Sequence, residues 1–576
     1  MPWMDGVQAP PAGPGVAPGV APGVAPADAP DADAFPEVPD GSPVVVPDGP
    51  AAVLDGPAPD ATDGLHPALF GVMVVGAVAV IALGVALRFV ARSDMWLDEA
   101  LTLNIARLPL GQIHGALRRD GAPPLYYVLL HFWTGAFGTS DTAVRSLSGL
   151  LSCATLPFMW VAGRRLGGRT VAAGALVIVA TSPFAVRYAT ENRMYALVGF
   201  LSAAGVVALQ QILRRRTAAN VLALAVLTAS LLYAHYWALY LVGVTALWLA
   251  WQAWRGPDDR RRGARAALAA VVVGCLAFVP WVPTFLYQAH HTGTPWAKPA
   301  NFAAMVNAVA SFAGGATSQG RALALVYFAL AGLGLFGVAR GAVHVDLDLR
   351  TRPRSRALAL VLGGTLAVAI VGGYASRSAF QARYASVVFV PLVLLVALGL
   401  ATFGDRRIRA GVLVAAVAFG VAGSVPNIWT SRTQAGEVAA TLARLGRPGD
   451  VVAYCPDQLG PAVHRLLPAG RYREITFPRG TGPAFVNWVD YSAASRAGHS
   501  GTFAARLEQL SAPVHQIWLV WAPGYQTFGT KCETLETDLL ADRSLGAHEM
   551  FPYRQVTDSW ITYENMELVR FVHIGR

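Results

Sequence analysis

Between residues 67 and 426 the sequence is cut into eleven apolar stretches, near 67–90, 146–163, 169–186, 194–213, 218–234, 236–254, 266–287, 321–339, 357–375, 385–403 and 409–426. Each is close to the about 20 residues that a helix needs to cross a bilayer. Every second connection is dense in arginine. Arg164, Arg165 and Arg169 fill one; Arg214, Arg215 and Arg216 another; then come Arg255 with Arg260, Arg261, Arg262 and Arg265. Arg340, Arg350, Arg352, Arg354 and Arg356 follow, and last Arg406, Arg407 and Arg409. The positive-inside rule puts these five clusters and the N-terminus in the cytoplasm, and everything after residue 426 outside. The first stretch alone has no positive charge on its inner flank.

This topology makes 91–145 one large outer loop, although it contains PPLYYVLLHFWTGAF. Counting that segment as a span would put all five basic clusters outside, and at about 15 residues it is short for a crossing. Together with the amphipathic stretch Leu101 to Leu117 it is expected to lie along the outer interface. Composition agrees with a membrane body: 54% apolar, 14% charged, mean hydropathy +0.44. The net charge of +10 contains −10 from the first 66 residues, so the remainder carries +20. Arginines at the ends of spans account for that excess, and nucleic acid is not an expected partner.

Three regions follow. Residues 1–66 hold 15 of the 38 prolines, ten acids and no Lys or Arg, and repeat an APGV unit; they read as a disordered cytoplasmic tail without the basic n-region of a secretory signal. Residues 67–426 form the membrane body. Residues 427–576 alternate β-rich runs (Val451–Cys455, Gln516–Trp521, Glu567–Val572) with helical ones (Gly436–Leu445, Thr502–Leu510, Cys532–Ala541), which predicts a small α/β domain. Cys455 and Cys532 fall in it, as a disulfide or as two buried thiols; Cys153 and Cys275 fall in predicted spans.

The chain has no G-x-x-x-x-G-K-[ST] phosphate loop, no H-E-x-x-H and no paired C-x-x-C. His290-His291 reads as a solvated turn. The informative spot is the end of the first span, Met95-Trp96-Leu97-Asp98-Glu99-Ala100, where two adjacent carboxylates sit beside an interfacial tryptophan. Taken alone they suit a helix start, whose dipole an acid complements. Further polar residues gather on the same outer side: Arg119-Asp120, then Pro123-Pro124-Leu125-Tyr126-Tyr127; Arg187-Tyr188-Ala189-Thr190-Glu191-Asn192-Arg193-Met194-Tyr195; and Phe380-Gln381-Ala382-Arg383-Tyr384. Charge beside lipid is costly and tends to mark function.

These motifs, WLDEA, D-x-x-PPLYY, GRRLGGR, SPF-x-x-x-Y-x-x-E-x-RMYAL and F-x-x-RY, occur in order over about residues 67–404 and resemble those of the GT-C glycosyltransferases. Within that superfamily the chain is similar to bacterial relatives of the protein O-mannosyltransferases and the lipid A aminoarabinose transferases (glycosyltransferase family 39-like). Many relatives of the first type carry histidine before the two prolines; this chain has Ala122, which leaves the acceptor type open. The resemblance implies an α-helical polytopic membrane protein, a GT-C-like bundle of about 11 transmembrane helices, with the α/β domain added outside. It implies a bacterial cytoplasmic membrane enzyme that takes a sugar from a polyprenyl-phosphate donor to an acceptor hydroxyl of a glycan, lipid or protein. By position Asp98, with Glu99 beside it, is the catalytic carboxylate, a general base whose single face gives inversion. Arg383, then Arg193, then Lys298 are candidates to hold the donor phosphate. Asp120, Glu191, Tyr126 and Tyr195 are candidates to orient the acceptor, Glu191 equally as the partner of Arg187 or Arg193. Trp518, Trp521 and Tyr525 are packing residues or a platform for a sugar. The acids leave room for a divalent cation, and nothing in the sequence requires one. Two other readings remain at this point: a flippase for a lipid-linked sugar, which would need polar groups near the midplane, and a non-catalytic glycan-binding scaffold.

Overall fold

The computed structural model describes residues 67–293, 302–315, 317–341, 344–375, 381–511, 514–525, 527–542, 545–551, 553 and 563–573. The proline-rich segment 1–66 and Lys298 lie outside the described residues.

The membrane body opens with α1 (Pro67–Leu87), followed by three short helices, α2 (Leu97–Ala106), α3 (Leu110–Asp120) and α4 (Leu125–Phe137). The amphipathic stretch expected from Leu101 to Leu117 is thus two helices, divided where Pro109 cannot continue a turn. With 13 residues α4 reaches only about 20 Å, too short to span. Next come α5 (Asp141–Thr181), α6 (Pro183–Ala189), α7 (Tyr195–Arg214), α8 (Ala218–Ala234) and α9 (Ala238–Arg255). The bundle continues with α10 (Asp258–Phe278), α11 (Val282–His291), α12 (Phe302–Ser311), α13 (Ser318–Phe336), α14 (Pro353–Ala375), α15 (Phe389–Leu400) and α16 (Arg406–Ser424).

Among the described residues seven helices are long and apolar enough to cross a membrane, and Gly71–Leu87 and Ala218–Ala234 are shorter apolar ones. The 41-residue α5 is two helices, broken at Gly167 and Gly168. Gly168 has φ 78, open to glycine and strained for other residues, so the GRRLGGR segment turns the chain back on itself. A Cβ on Gly163 would meet the Cα of Ala172 at 2.9 Å, so the two arms touch backbone to backbone. Each of the eleven apolar stretches read from the sequence falls mainly on helix, but the first stops at Leu87, the one from 321 at Phe336, and the one from 385 opens as a 3-10 helix and ends at Leu400. After Phe336 the chain forms a hairpin that periodicity did not announce, β1 (Gly337–Arg340) against β2 (His344–Leu347).

Three of the arginine clusters meet at one end of the bundle. Arg214 Nη2 donates to the Arg165 carbonyl (3.3 Å), Arg165 Nη1 to the Val207 carbonyl (2.9 Å), and Arg409 Nη1 to Thr170 Oγ1 (3.5 Å).

After α16 the chain leaves the bundle through a turn at Val425–Ile428. It then builds α17 (Ala435–Leu445), β3 (Val451–Cys455), α18 (Gly460–His464), β4 (Arg473–Thr476), α19 (Tyr491–Ala497), α20 (Ser500–Ser511), β5 (Ile517–Trp521), α21 (Lys531–Ala541), β6 (Leu545–Phe551) and β7 (Glu567–His573). The five strands form one sheet in the order β4-β3-β5-β7-β6. β3 pairs parallel with β4 and with β5, and the pairs β5/β7 and β7/β6 are antiparallel. β3 and β5 are buried at every position, as parallel strands covered on both faces must be. Cys455 and Cys532 form a disulfide between the end of β3 and α21. Trp518 is fully buried, its indole N–H donating to Asp450 (3.0 Å), so it packs the sheet and offers no platform to a sugar.

Candidate active site

The acidic motif sits where α2 begins. Trp96 precedes the first turn in an extended conformation, and the acids occupy that turn, where the positive end of the helix favours them. The two neighbours have different fates. Asp98 keeps 17% side-chain exposure and lies 3.6 Å from Arg383 Nη2 and 3.8 Å from Arg193 Nε. Arg193 is braced by Thr102 Oγ1 (2.8 Å) and the Tyr127 hydroxyl (3.4 Å). Tyr127 donates to Asp120 Oδ2 (2.9 Å), so Asp98 and Asp120 are joined through one guanidinium. Arg383 lies 5.5 Å over the ring of Trp96 and 5.7 Å over that of Tyr384. The structure therefore brings together Asp98, Arg193, Arg383 and, through Tyr127, Asp120.

Glu99 is withdrawn from this group. It is 0% exposed. Its Oε1 accepts from Arg145 Nε (2.8 Å) and the Asn192 N–H (2.9 Å); its Oε2 accepts from Arg145 Nη2 (2.7 Å) and lies 3.4 Å from Arg432 Nη1. Burial alone would raise this carboxyl, but the guanidinium groups of Arg145 and Arg432 outweigh it and hold the pKa down at about 2. Asp120 behaves in the opposite sense: burial pushes it up, and the single Arg193 charge only partly opposes that.

Arg145 and Arg432 spread the Glu99 cluster over four segments. Arg145 also donates to the carbonyls of Ser93 (2.7 Å) and Asp94 (3.3 Å), and Arg432 to the Thr190 carbonyl (2.7 Å) and Thr190 Oγ1 (2.7 Å). Tyr126 joins through its hydroxyl, which donates to Asn192 Oδ1 (3.0 Å) and shares a hydrogen bond with Ser148 Oγ (2.8 Å). Glu191, 1% exposed, pairs with Arg187 at 2.8 Å, and so lies in the local ion pair that the i,i+4 spacing allows. Tyr195 is buried with its ring 4.6 Å from Tyr188 and 5.8 Å from His235.

Sequence reasoning missed His235, Arg145, Asn192 and Arg432. His235 follows α8 and is 6% exposed; its Nδ1 accepts from the Trp237 N–H (3.1 Å), and its ring is 5.7 Å from that of Tyr384. A lone histidine at the end of a span carries no spacing signal. Arg145 was legible as an arginine inside an apolar outer end, and Arg432 as the first charge after the last span. Among the described residues no group of three or more His, Cys, Asp or Glu comes together as metal ligands would.

No protein-family model and no curated protein matches the sequence. Solved structures do. ArnT from Cupriavidus metallidurans in the apo state has 15% identity and a TM-score of 0.52 over 88% of this chain and 98% of that one. The Archaeoglobus fulgidus oligosaccharyltransferase has 11% identity and a TM-score of 0.45, covering 77% of this chain and 67% of its own. The arabinofuranosyltransferase AftD from Mycobacteria has 16% identity and a TM-score of 0.46, covering 87% and 42%. The chain has the fold of ArnT over most of the length of both.

Proposed function

We propose that the chain is a membrane glycosyltransferase that moves a sugar from a polyprenyl-phosphate donor to an acceptor hydroxyl on the outer face of the cytoplasmic membrane. One observation carries the reading: a partly exposed carboxylate, Asp98, within 4 Å of two guanidinium groups. Two guanidinium groups beside it are suited to a phosphate. Asp98 takes the proton of the acceptor hydroxyl, and the acceptor oxygen attacks the anomeric carbon as the bond from that carbon to the phosphate oxygen breaks. The charge that appears on the departing phosphate falls to Arg383 and Arg193, fixed before the reaction by Trp96, Tyr384, Thr102 and Tyr127. A base on the face opposite the leaving group inverts the anomeric centre. Asp120 orients the acceptor side through Tyr127, while Glu99, Tyr126 and Glu191 hold the loops that present Asp98 and Arg193. Tyr195 backs the site as an aromatic wall. Lys298 remains a third phosphate ligand in this proposal.

In this reading the arginine-bearing end of the bundle is cytoplasmic, and the Asp98 end with the α/β domain is extracytoplasmic. The test is release of polyprenyl phosphate from a panel of polyprenyl-phosphate sugars by the full chain in lipid, with candidate glycan, lipid and peptide acceptors present. Release from one donor by the parent chain, lost in Asp98→Asn, is the expected result. Equal release by both would remove Asp98 as the base, and no release from any donor would overturn the transfer reading.

A further inference from the structure

α3 and α11 end side by side. The first closes at Asp120, with Gly121 after it at φ 89, and the second at His291. A Cβ on Gly121 would meet Thr292 Oγ1 at 2.6 Å, so the two ends touch. Gln288 ties them from within α11, its Nε2 donating to the carbonyls of Leu117 (2.8 Å) and Ala122 (3.2 Å). The last carbonyls of a helix find no partner inside it. Two of them are served from the α/β domain: the Trp488 N–H donates to the Arg119 carbonyl (3.1 Å) and the Asp490 N–H to the His291 carbonyl (2.8 Å). The side chains of the second pair meet as well, with His291 Nδ1 lying 3.1 Å from Asp490 Oδ1.

Both donors belong to the loop of residues 477–490, between β4 and α19. Loops that reach about 12–15 residues without helix or strand of their own are uncommon and usually serve a function. This one is held at several points. The Ala484 carbonyl accepts from Asn104 Nδ2 on α2 (2.8 Å). Pro483 lies against Gly460 at the start of α18, where an added Cβ would come within 2.8 Å of it. Asp490 takes the left-handed conformation (φ 48), which aspartate tolerates better than most residues. The loop thus joins α2, α3 and α11. From it a line of contacts leads to the site. Arg119 precedes Asp120, Asp120 accepts from Tyr127 (2.9 Å), Tyr127 meets Arg193 (3.4 Å), and Arg193 lies 3.8 Å from Asp98.

Building on the transfer reading above, we infer that the loop 477–490 positions the acceptor side of the site. It fixes the end of α3, and with it Asp120, relative to Asp98. Asp490 and His291 are its positioning residues, and they act through α3 and α11 without touching the reacting atoms. The donor side is held independently of this loop. Arg193 keeps Thr102 Oγ1 (2.8 Å), and Arg383 keeps the rings of Trp96 and Tyr384, wherever the end of α3 lies. The α/β domain is thereby a working part of the transferase, joined to its acceptor half.

The experiment uses the full chain in lipid with the polyprenyl-phosphate sugar and the acceptor that it turns over. Asp490→Gly removes the carboxylate and keeps the backbone conformation, which glycine adopts freely. It is expected to raise the acceptor KM by about two- to fivefold, the worth of an exposed ion pair, with donor KM and donor hydrolysis by water unchanged. Asp490→Asn keeps an oxygen for His291 and should recover most of the loss. His291→Ala should match Asp490→Gly, and the two together should add nothing further. Amide hydrogen exchange over residues 117–121 should quicken in Asp490→Gly, a reading that needs no turnover. Unchanged exchange there, or an unchanged acceptor KM, would overturn the inference. An equal fall in donor hydrolysis would make the loop a general support of the fold and overturn it too. If Asp490→Gly does not fold, His291→Ala carries the same test. Absence of any turnover by the parent chain would bring down the transfer reading, and exchange would still decide whether the loop holds α3.

Discussion

Glu99→Gln tests whether a buried charge positions the site. The side chain keeps its shape and its acceptor for the Asn192 N–H, so what is lost is the charge between Arg145 (6% exposed) and Arg432 (0% exposed). Removing one partner of a buried ion pair costs about 3–5 kcal/mol, because the other charge remains desolvated. That is a large part of the roughly 5–15 kcal/mol that holds a protein folded. For a cooperative unit of 150–250 residues it corresponds to a fall in Tm on the order of 6–20 °C. Asp98 is the adjacent residue, and a displacement of about 1 Å at a reacting group costs about a hundredfold in rate. Tryptophan fluorescence during heating in lipid gives the first quantity, and the initial rate of sugar transfer the second. The charge also leaves a pH signature. With the folded-state value near 2 and an ordinary value of 4.5, the stabilisation is complete above about pH 4.5 and is lost as the pH falls towards 2. The gap between parent and variant should therefore close at acid pH. Combining Glu99→Gln with Arg432→Met removes one stranded cation and should recover about 1–3 kcal/mol. A Glu99→Gln protein that melts within about 1 °C of the parent and keeps its rate would refute the reasoning.

Other expectations follow from the same contacts. Arg383→Ala should lower kcat/KM for the donor by about 10–100-fold, the worth of a charge-assisted contact, whereas Arg193→Lys keeps the charge beside Asp98 and should lose less; equal, negligible effects on donor kinetics would take both from the phosphate. Replacing Cys455 and Cys532 by alanine opens a loop with a sequence separation of 77 and should destabilise the outer sheet by about 4–5 kcal/mol, seen as faster proteolysis there; an unchanged cleavage rate would contradict it. Burial raises the Glu564 carboxyl to about 8, so its contribution is complete below its ordinary value of 4.5 and lost as the pH rises through 8. Glu564→Gln should flatten the fall in Tm between about pH 4.5 and 8, and an equally steep fall in the variant would place the loss elsewhere.

The spans were legible because lipid imposes a length and a hydropathy that no tertiary contact can override. The β-rich runs after residue 450 were legible for a similar reason, since β3 and β5 are buried on both faces and read as continuous apolar strings. β4 and β6 were not, because REIT and LGAHEMF carry polar residues that edge strands tolerate. Within the site, motif order pointed to Asp98, Arg193 and Arg383, yet it treated Asp98 and Glu99 as one pair. Neighbours on a helix start point apart, and only the fold shows one near the mouth and the other between two buried arginines. Likewise the choice of partner for Glu191 depended on which arginine the turn at Thr190 brings round, and that is Arg187.

The contact between the Arg432 N–H and Ser93 Oγ joins residues 339 positions apart, with α2 to α16 between them in the chain. A ribosome delivers Ser93, Asp98 and Glu99 early and Arg432 only after the last span has been threaded. Until then the first loop has Arg145 as its one buried cation from this pair, and the carbonyl and hydroxyl of Thr190 lack the guanidinium that fixes them. The bond thus works as a closing stitch in biogenesis: the loop that carries Asp98 reaches its final shape when insertion of the membrane body is finished, and a chain released earlier holds the same motif in an unsecured loop.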